Sequence, residues 1–246
     1  MRNLVFTHWG VIEYEEAWNR QKALFHALVE EKTRSAVIGS QNSPGWDAPL
    51  PHQFILCQHP PVYTLGKSGR DSNLLVSEEF LRSKGASLFH IERGGDITFH
   101  GPGQCVGYPI LDLDDFSLSL RGYITLLEEG IIRTLDDFGI AASRCPGAIG
   151  VWLDAEDPLK SRKICAIGVR AGRGVTMHGF ALNVNTDLSF FNYIHPCGFV
   201  DKGVTSLARE LKHEVNIEEV MGCLKTHFST LLSRGKGSIS DRPLLH

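Results

Sequence analysis

Between Glu13 and Glu31, the residues Tyr14, Ala17, Trp18, Gln21, Leu24, Phe25 and Leu28 recur three and four positions apart, the repeat of an amphipathic helix. Gly39 to Pro51 is rich in glycine, proline and polar residues and reads as a loop. Phe54-Ile55-Leu56-Cys57 is a short apolar run of the kind that makes a buried strand, and Pro60-Pro61 ends it. From Leu88 to Leu113 apolar runs alternate with glycine and proline, predicting two strands joined by Gly101-Pro102-Gly103. Tyr123, Leu126, Leu127, Ile131, Leu135 and Phe138 share one face of a second helix, with Gly139 placed to end it. Ile149 to Leu153, Ile164 to Val169 and Val175 to Val184 read as further strands. Asn216, with Glu219 three residues on and Val215 set against Val220, predicts a capped and stapled helix to about Leu232.

Helices and strands come in blocks and do not alternate strictly, so the fold class is α+β, with a mixed, mostly antiparallel sheet flanked by helices. A chain of 246 residues without a mid-chain linker reads as a single catalytic domain over 1–234. The polar, glycine-rich tail 235–246 is expected to be flexible.

A net charge of −3 excludes a globally basic nucleic-acid binder. Leu4-Val5-Phe6 is too short for the apolar core of a signal peptide, and no apolar run approaches the ~20 residues needed to cross a bilayer, so a soluble, cytoplasmic chain is expected. Cys57, Cys105, Cys145, Cys165, Cys197 and Cys223 are scattered without a Cys-x-x-Cys pair and should be thiols in a reducing compartment. Cys57 and His59 stand close together, but such spacings recur by accident, and no metal is expected.

Three stretches hold more glycine and more polar groups than a core element needs. Arg93-Gly94-Gly95-Asp96-Ile97-Thr98-Phe99-His100-Gly101-Pro102-Gly103-Gln104 either walls and orients a ligand or is a tight hairpin whose glycines serve its turn. Lys163-Ile164-Cys165-Ala166-Ile167-Gly168 sets a lysine at the edge of an apolar strand, where its ammonium either stabilises a neighbouring anion or is simply solvated. In Ile194-His195-Pro196-Cys197-Gly198-Phe199 a cysteine between proline and glycine belongs to a loop, either as an accessible nucleophile or as an inert thiol. His178, on a predicted strand beside Gly179, is a candidate general base or positioning donor, with a structural histidine as the alternative. Ser117 and Ser119 lie in no Gly-x-Ser-x-Gly elbow, and no phosphate-cradling glycine loop precedes a helix.

In order and wording these stretches resemble the octanoyltransferase family of lipoate biosynthesis, itself similar to the biotin and lipoate protein ligase fold. Tyr14-Glu15-Glu16-Ala17, His59-Pro60-Pro61-Val62-Tyr63-Thr64-Leu65-Gly66 and Asp201-Lys202-Gly203-Val204-Thr205-Ser206-Leu207 extend the likeness over roughly residues 5 to 230. His195 stands where an aliphatic residue is usual. The resemblance implies that Cys197 takes an octanoyl (or lipoyl) group from acyl carrier protein as a thioester, assisted by Lys163. It implies substrate contacts from Arg93, Gly94, Gly95, Asp96, Ile97, Thr98, Phe99 and His100, from Ala166, Ile167 and Gly168, and from Gly179, Phe180 and Ala181. The acceptors it implies are lysines on the lipoyl domains of 2-oxoacid dehydrogenases and on the glycine cleavage H protein.

Thioester to thioester is nearly balanced in energy and thioester to amide runs downhill, so the route needs neither ATP nor any other cofactor. Ile97, Phe99, Ile167 and Phe180 are candidates to bury the chain, at about 0.8 kcal/mol per methylene. Lys160, Arg162, Lys163, Arg170 and Arg173, without an intervening acid, are expected either to attract acidic partner domains or to form a solvated run. A monomer is expected. The competing readings are an ATP-dependent lipoate- or biotin-type ligase and a non-catalytic module that holds acyl groups or lipoyl domains.

Overall fold

The computed structural model describes residues 3–38, 49–195 and 203–233. The expected loop lies mostly outside them, as do Cys197 and the tail 235–246. The chain opens on β1 (Leu4–Val11), passes through α1 (Tyr14–Ile38) and enters β2 (His52–Gln58), which runs parallel to β1. A small second sheet follows, made of β3 (Val62–Leu65), β4 (Ser87–His90) and β5 (Ile97–His100), with α2 (Glu78–Ser83) between the first two. β6 (Gln104–Ile110) returns to the large sheet, α3 (Leu120–Asp137) crosses one face, and β7 (Ser143–Cys145) and β8 (Ala148–Leu153) form its far edge. β9 (Arg162–Gly172) and β10 (Val175–Asn183) are the long antiparallel pair at its centre. β11 (Gly203–Val204) adds to β9, and α4 (Leu207–Leu211) and α5 (Ile217–Ser233) close the described chain.

The large sheet has the order β1-β2-β6-β10-β9-β8-β7, parallel at β1/β2 and at β11/β9 and antiparallel elsewhere. Its residues alternate between two cores. Phe54 and Leu56 of β2, with Phe180 and Leu182 of β10, face Leu127 and Ile131 of α3 and Leu224 and Phe228 of α5. Ile55, Cys57, Val106 and Met177 face Ala17, Phe25 and Leu28 of α1. Burial on both faces is what makes 54–57 a continuous apolar run.

Both predicted ends of helices hold. Gly139 has a positive φ of 71° and its N–H donates to the Asp136 carbonyl, and Asn216 Oδ1 accepts from the Glu218 N–H at 3.0 Å. Two strands do flank Gly101-Pro102-Gly103 as expected, but the alternative of a hairpin does not hold, because β5 pairs with β3 in the small sheet whereas β6 pairs with β2 and β10 in the large one. The turn is pinned forward: Gly103 N–H donates to Gln58 Oε1, and its carbonyl accepts from the Val184 and Asn185 N–H groups. Prolines 60 and 61 do end β2, but β3 resumes immediately at Val62.

Candidate active site

A cavity of about 600 Å³ runs beside β9 and β10, a volume in the range of small-molecule sites. Arg93, Gly94, Gly95, Asp96, Ile97, Thr98 and His100 line it, as do Lys163, Ala166, Ile167, Gly168, His178, Gly179, Phe180 and Ala181. The fold thus gathers the first two stretches and the His178 strand around one space. Phe99 is not on that wall. Its ring lies in the small sheet's core, stacked on Phe190 at 4.6 Å beside Tyr63. Phe180 borders the cavity while also packing against Phe54 and Phe228.

The loop before β5 is fastened by close backbone approach. Gly94 N–H donates to the Val169 carbonyl at 2.9 Å, and a Cβ on Gly168 would stand 3.0 Å from the Gly94 carbonyl oxygen. Gly95 takes a φ of 88°, and its carbonyl accepts from Ser68 N–H. The paired glycines therefore serve the contact between loop and strand as well as the cavity wall. Arg93, 7% exposed, donates through Nη2 to the Thr64 carbonyl and Oγ1 at 2.6 and 2.9 Å, and through Nη1 to the Gly94 carbonyl.

The inner end of the cavity is a polar cluster shared with residues that the sequence reading did not assign. His59 Nδ1 donates to the Ile12 carbonyl at 2.7 Å, so its Nε2 accepts from the Tyr108 hydroxyl at 2.7 Å. His100 Nδ1 donates to Gln104 Oε1 at 2.8 Å. Gln104 Nε2 donates to Asn183 Oδ1, and Asn183 Nδ2 to the Thr205 carbonyl. Burial holds all three histidines neutral: His59 is pushed down to about 4, and His100 and His178 to about 3, the last two helped by the Arg93 charge. His178 is 2% exposed, has a φ of 62°, and its Nε2 has no hydrogen-bond partner among the described residues. Cys57 Sγ lies 3.6 Å from His59 Nε2, a nitrogen already engaged by Tyr108.

The outer end is different in kind. Exposed Leu120 and Ile149 form its lip with Gly147 and Ala148, and Lys163 reaches it from β9 with Nζ 4.6 Å from the centre of the Trp152 ring. Phe191, Gly203 and Val204, which flank residues 196–202, also line the cavity. Val204 pairs with Lys163 across β11/β9, and Thr205 N–H donates to the Lys163 carbonyl at 3.0 Å. His195 is bound through its N–H to the Asn73 carbonyl. Among the described cysteines, Cys57, Cys105, Cys145 and Cys165 are buried, and burial pushes Cys57, Cys105, Cys165 and Cys223 up. A raised thiol is a poor nucleophile.

In the basic run of 160–173, Lys160 pairs with Asp157, Arg162 with Asp154 and Glu210, and Arg170 with Glu92, while Arg173 donates to Thr33 Oγ1. His178 and Lys163 are far apart. His178 is opposite Val169, six residues along β9 from Lys163, which is about 20 Å of strand. An extended eight-carbon chain, seven bonds of about 1.5 Å, spans less than ~10 Å. One acyl carbonyl cannot meet both.

Tyr14, Tyr108, Trp152 and Asn183 are among the lining residues to which sequence reading assigned no role, whereas Gln104 ends the first of the stretches named there. Gln104 and Asn183 carried a local signal, being polar groups inside apolar strands. Tyr14 and Trp152 carried none, because core packing explained them equally well.

The family model of the lipoyl protein ligase A/B catalytic domain matches residues 13–229. A protein named octanoyltransferase from Bacteroides thetaiotaomicron is 50% identical over 237 residues, covering 96% of this chain and 99% of its own. Another of that name from Cytophaga hutchinsonii is 48% identical, covering 90% and 89%. Among solved structures, a bipartite lipoate protein ligase from Thermoplasma acidophilum superposes with a TM-score of 0.65 at 14% identity, over 95% of this chain and 85% of that one. Among the described residues no helix is long and apolar enough to cross a membrane. By sequence and fold together, the chain belongs to the lipoyl protein ligase A/B catalytic domain family.

Proposed function

We propose that this protein is an octanoyltransferase of protein lipoylation, which carries the acyl group on Cys197 between an acyl carrier protein and a lysine of a lipoyl domain. The observation that carries the reading is a lysine at the lip of a largely apolar cavity deep enough for a medium-length chain, in a protein about half identical to octanoyltransferases along nearly its whole length. Cys197 lies outside the described residues, and its role rests on the family resemblance and on the burial of Cys57, Cys105, Cys145 and Cys165. The chain re-emerges six residues later at Gly203, on the strand next to Lys163.

The chemistry balances with these two side chains alone. In the first step the Cys197 thiolate attacks the carrier's thioester carbonyl, the carbon–sulfur bond to the carrier breaks, and the Lys163 ammonium gives its proton to the departing thiolate. Lys163 is then a neutral amine. In the second step the ε-amine of the acceptor lysine attacks the acyl-cysteine, an amide forms, Cys197 leaves as thiolate, and Lys163 takes the surplus proton. The ion pair is restored without nucleotide or metal. His178, a weak base some 20 Å along the sheet and beyond the end of an eight-carbon chain held at Lys163, is not needed as proton acceptor.

The test is intact-protein mass spectrometry after incubation with octanoyl-loaded carrier and no ATP. An octanoyl adduct released by hydroxylamine is expected on the wild type and absent from Cys197→Ser. An unmodified wild type that acylates a lipoyl domain from free acid and ATP would replace this reading with the ligase; carrier binding with neither reaction would leave a binding module.

A further inference from the structure

Trp152 and Lys163 are direct partners across β8 and β9, at a point where the register of that pair shifts between Val151 and Trp152. The 4.6 Å from Nζ to the ring centre is inside the ~6 Å over which an aromatic face attracts a cation. The indole is fixed in place. It is 1% exposed, packs with Cys145, Ala148 and Ala155, and donates its Nε1–H to the Ala148 carbonyl at 3.0 Å. Gly150 bounds the lysine stem, with a φ of 125° that suits glycine. A Cβ at Gly150 would stand 3.4 Å from Lys163 Cε and 2.6 Å from the Cys165 carbonyl oxygen.

We propose that Trp152 is a positioning residue of the acyl transfer: its locked face holds Lys163 Nζ at the lip of the cavity and favours the ammonium over the amine. The proposal rests on Lys163 being the proton carrier. Between the two transfer steps Lys163 is uncharged and Cys197 is acylated, so no ion pair joins them. The packing of the lysine stem against the ring persists through that interval, and the ring's attraction returns with the proton. Lys163 is thereby in the same place for the departing carrier thiolate and for the incoming amine.

Charged and titratable groups also stand on the elements around this lysine. Glu128 and Glu129 of α3 are engaged by Arg144 of β7, and Glu128 also accepts from the Gly150 N–H. Arg162 of β9 is paired with Asp154 beyond β8 and Glu210 of α4. Cys145 of β7 and Cys165 of β9 are buried thiols, and Cys197, Asp201 and Lys202 belong to the segment between His195 and Gly203. Of these groups only Cys145 shares the indole's cluster, and the ion pairs of Glu128, Glu129 and Arg162 are made with other side chains.

The experiment follows deacylation of octanoyl-enzyme by a lipoyl-domain acceptor in single turnover across pH, for wild type, Trp152→Phe and Trp152→Leu. The step needs neutral Lys163, so its rate rises with pH through the lysine's titration. Loss of the ring favours the amine, and the midpoint should move to lower pH, by about 0.5–1 unit for Leu and by less for Phe. The plateau rate should fall about tenfold in Leu, with KM for the loaded carrier nearly unchanged. If Trp152→Leu loses cooperative unfolding, the Phe variant, which keeps a ring in the same slot, decides by its own shift. A wild type that takes no acyl group refutes the transfer reading and this inference with it. A wild type that does, beside folded variants with an unshifted midpoint, refutes this inference alone.

Discussion

The two ends of the cavity solve opposite problems. The inner end, around His59, His100, Tyr108 and His178, is polar but uncharged on its rings, because burial suppresses protonation and a directed set of hydrogen bonds absorbs the donors. The outer end, at Lys163, keeps a cation beside exposed apolar groups and gives it an aromatic face to rest on. One end is preorganised by desolvation, the other by a contact that tolerates a changing charge. The difference teaches that buried histidines in a site need not be its acid–base groups. The group that moves protons is better placed where water and substrate meet.

Several measurements would break or sharpen this contrast. The largest effect is expected at the outer end, where Lys163→Ala should lower transfer by about 10²–10⁴-fold in single-turnover assays while leaving thermal unfolding near that of wild type. Next is the response of stability to acid. The three histidines titrate lower in the fold than the usual 6.5, so the unfolded chain binds more protons below that pH. Stability is therefore full above about pH 6.5 and declines toward pH 4, by up to about 1.4 kcal/mol per pH unit for each ring. Urea titrations at pH 7, 6 and 5 measure it, and a flat profile would mean that the inner end is wet.

Gln104→Leu strands the His100 N–H and Asn183 Oδ1, and should cost about 1–3 kcal/mol of unfolding free energy by the same titration. His178→Ala should slow deacylation by less than about tenfold. A loss equal to that of Lys163→Ala would erase the distinction between the ends. The smallest effect is reserved for Lys160→Ala and Arg170→Ala, whose charges are already matched by Asp157 and Glu92. Each should change KM for the carrier by less than about twofold at moderate salt.

What could be read from the sequence follows from what is local. The helices around Tyr14–Leu28, Tyr123–Phe138 and Ile217–Leu232 declared themselves by period and caps, and β9 and β10 by their apolar runs. β1, β3 and β7 were missed, being short or mixed in polarity, and stable only through partners far away in the chain. Within the site, the stretch 93–100, Lys163 and His178 were legible because glycine and polar groups are conspicuous in apolar surroundings. The pairing of Trp152 with Lys163 was not, because it depends on a register shift between β8 and β9 that no periodicity encodes. The sheet switch after His100 was hidden for the same reason: a glycine turn announces a reversal but not the strand it will meet.

β9 runs the length of the cavity, with Lys163 near its start and Val169, the partner of His178, toward its end. That makes it a ruler whose graduation is the single residue. Inserting or deleting one residue between 163 and 169 would change the spacing of the two ends by about 3.3 Å and would also turn every later side chain to the opposite face. The length of this wall can therefore change only in steps of two residues, each requiring a matching step in β10. Variation in reach is far easier to obtain from side-chain volume at Ala166, Ile167 or Ala181 than from the backbone.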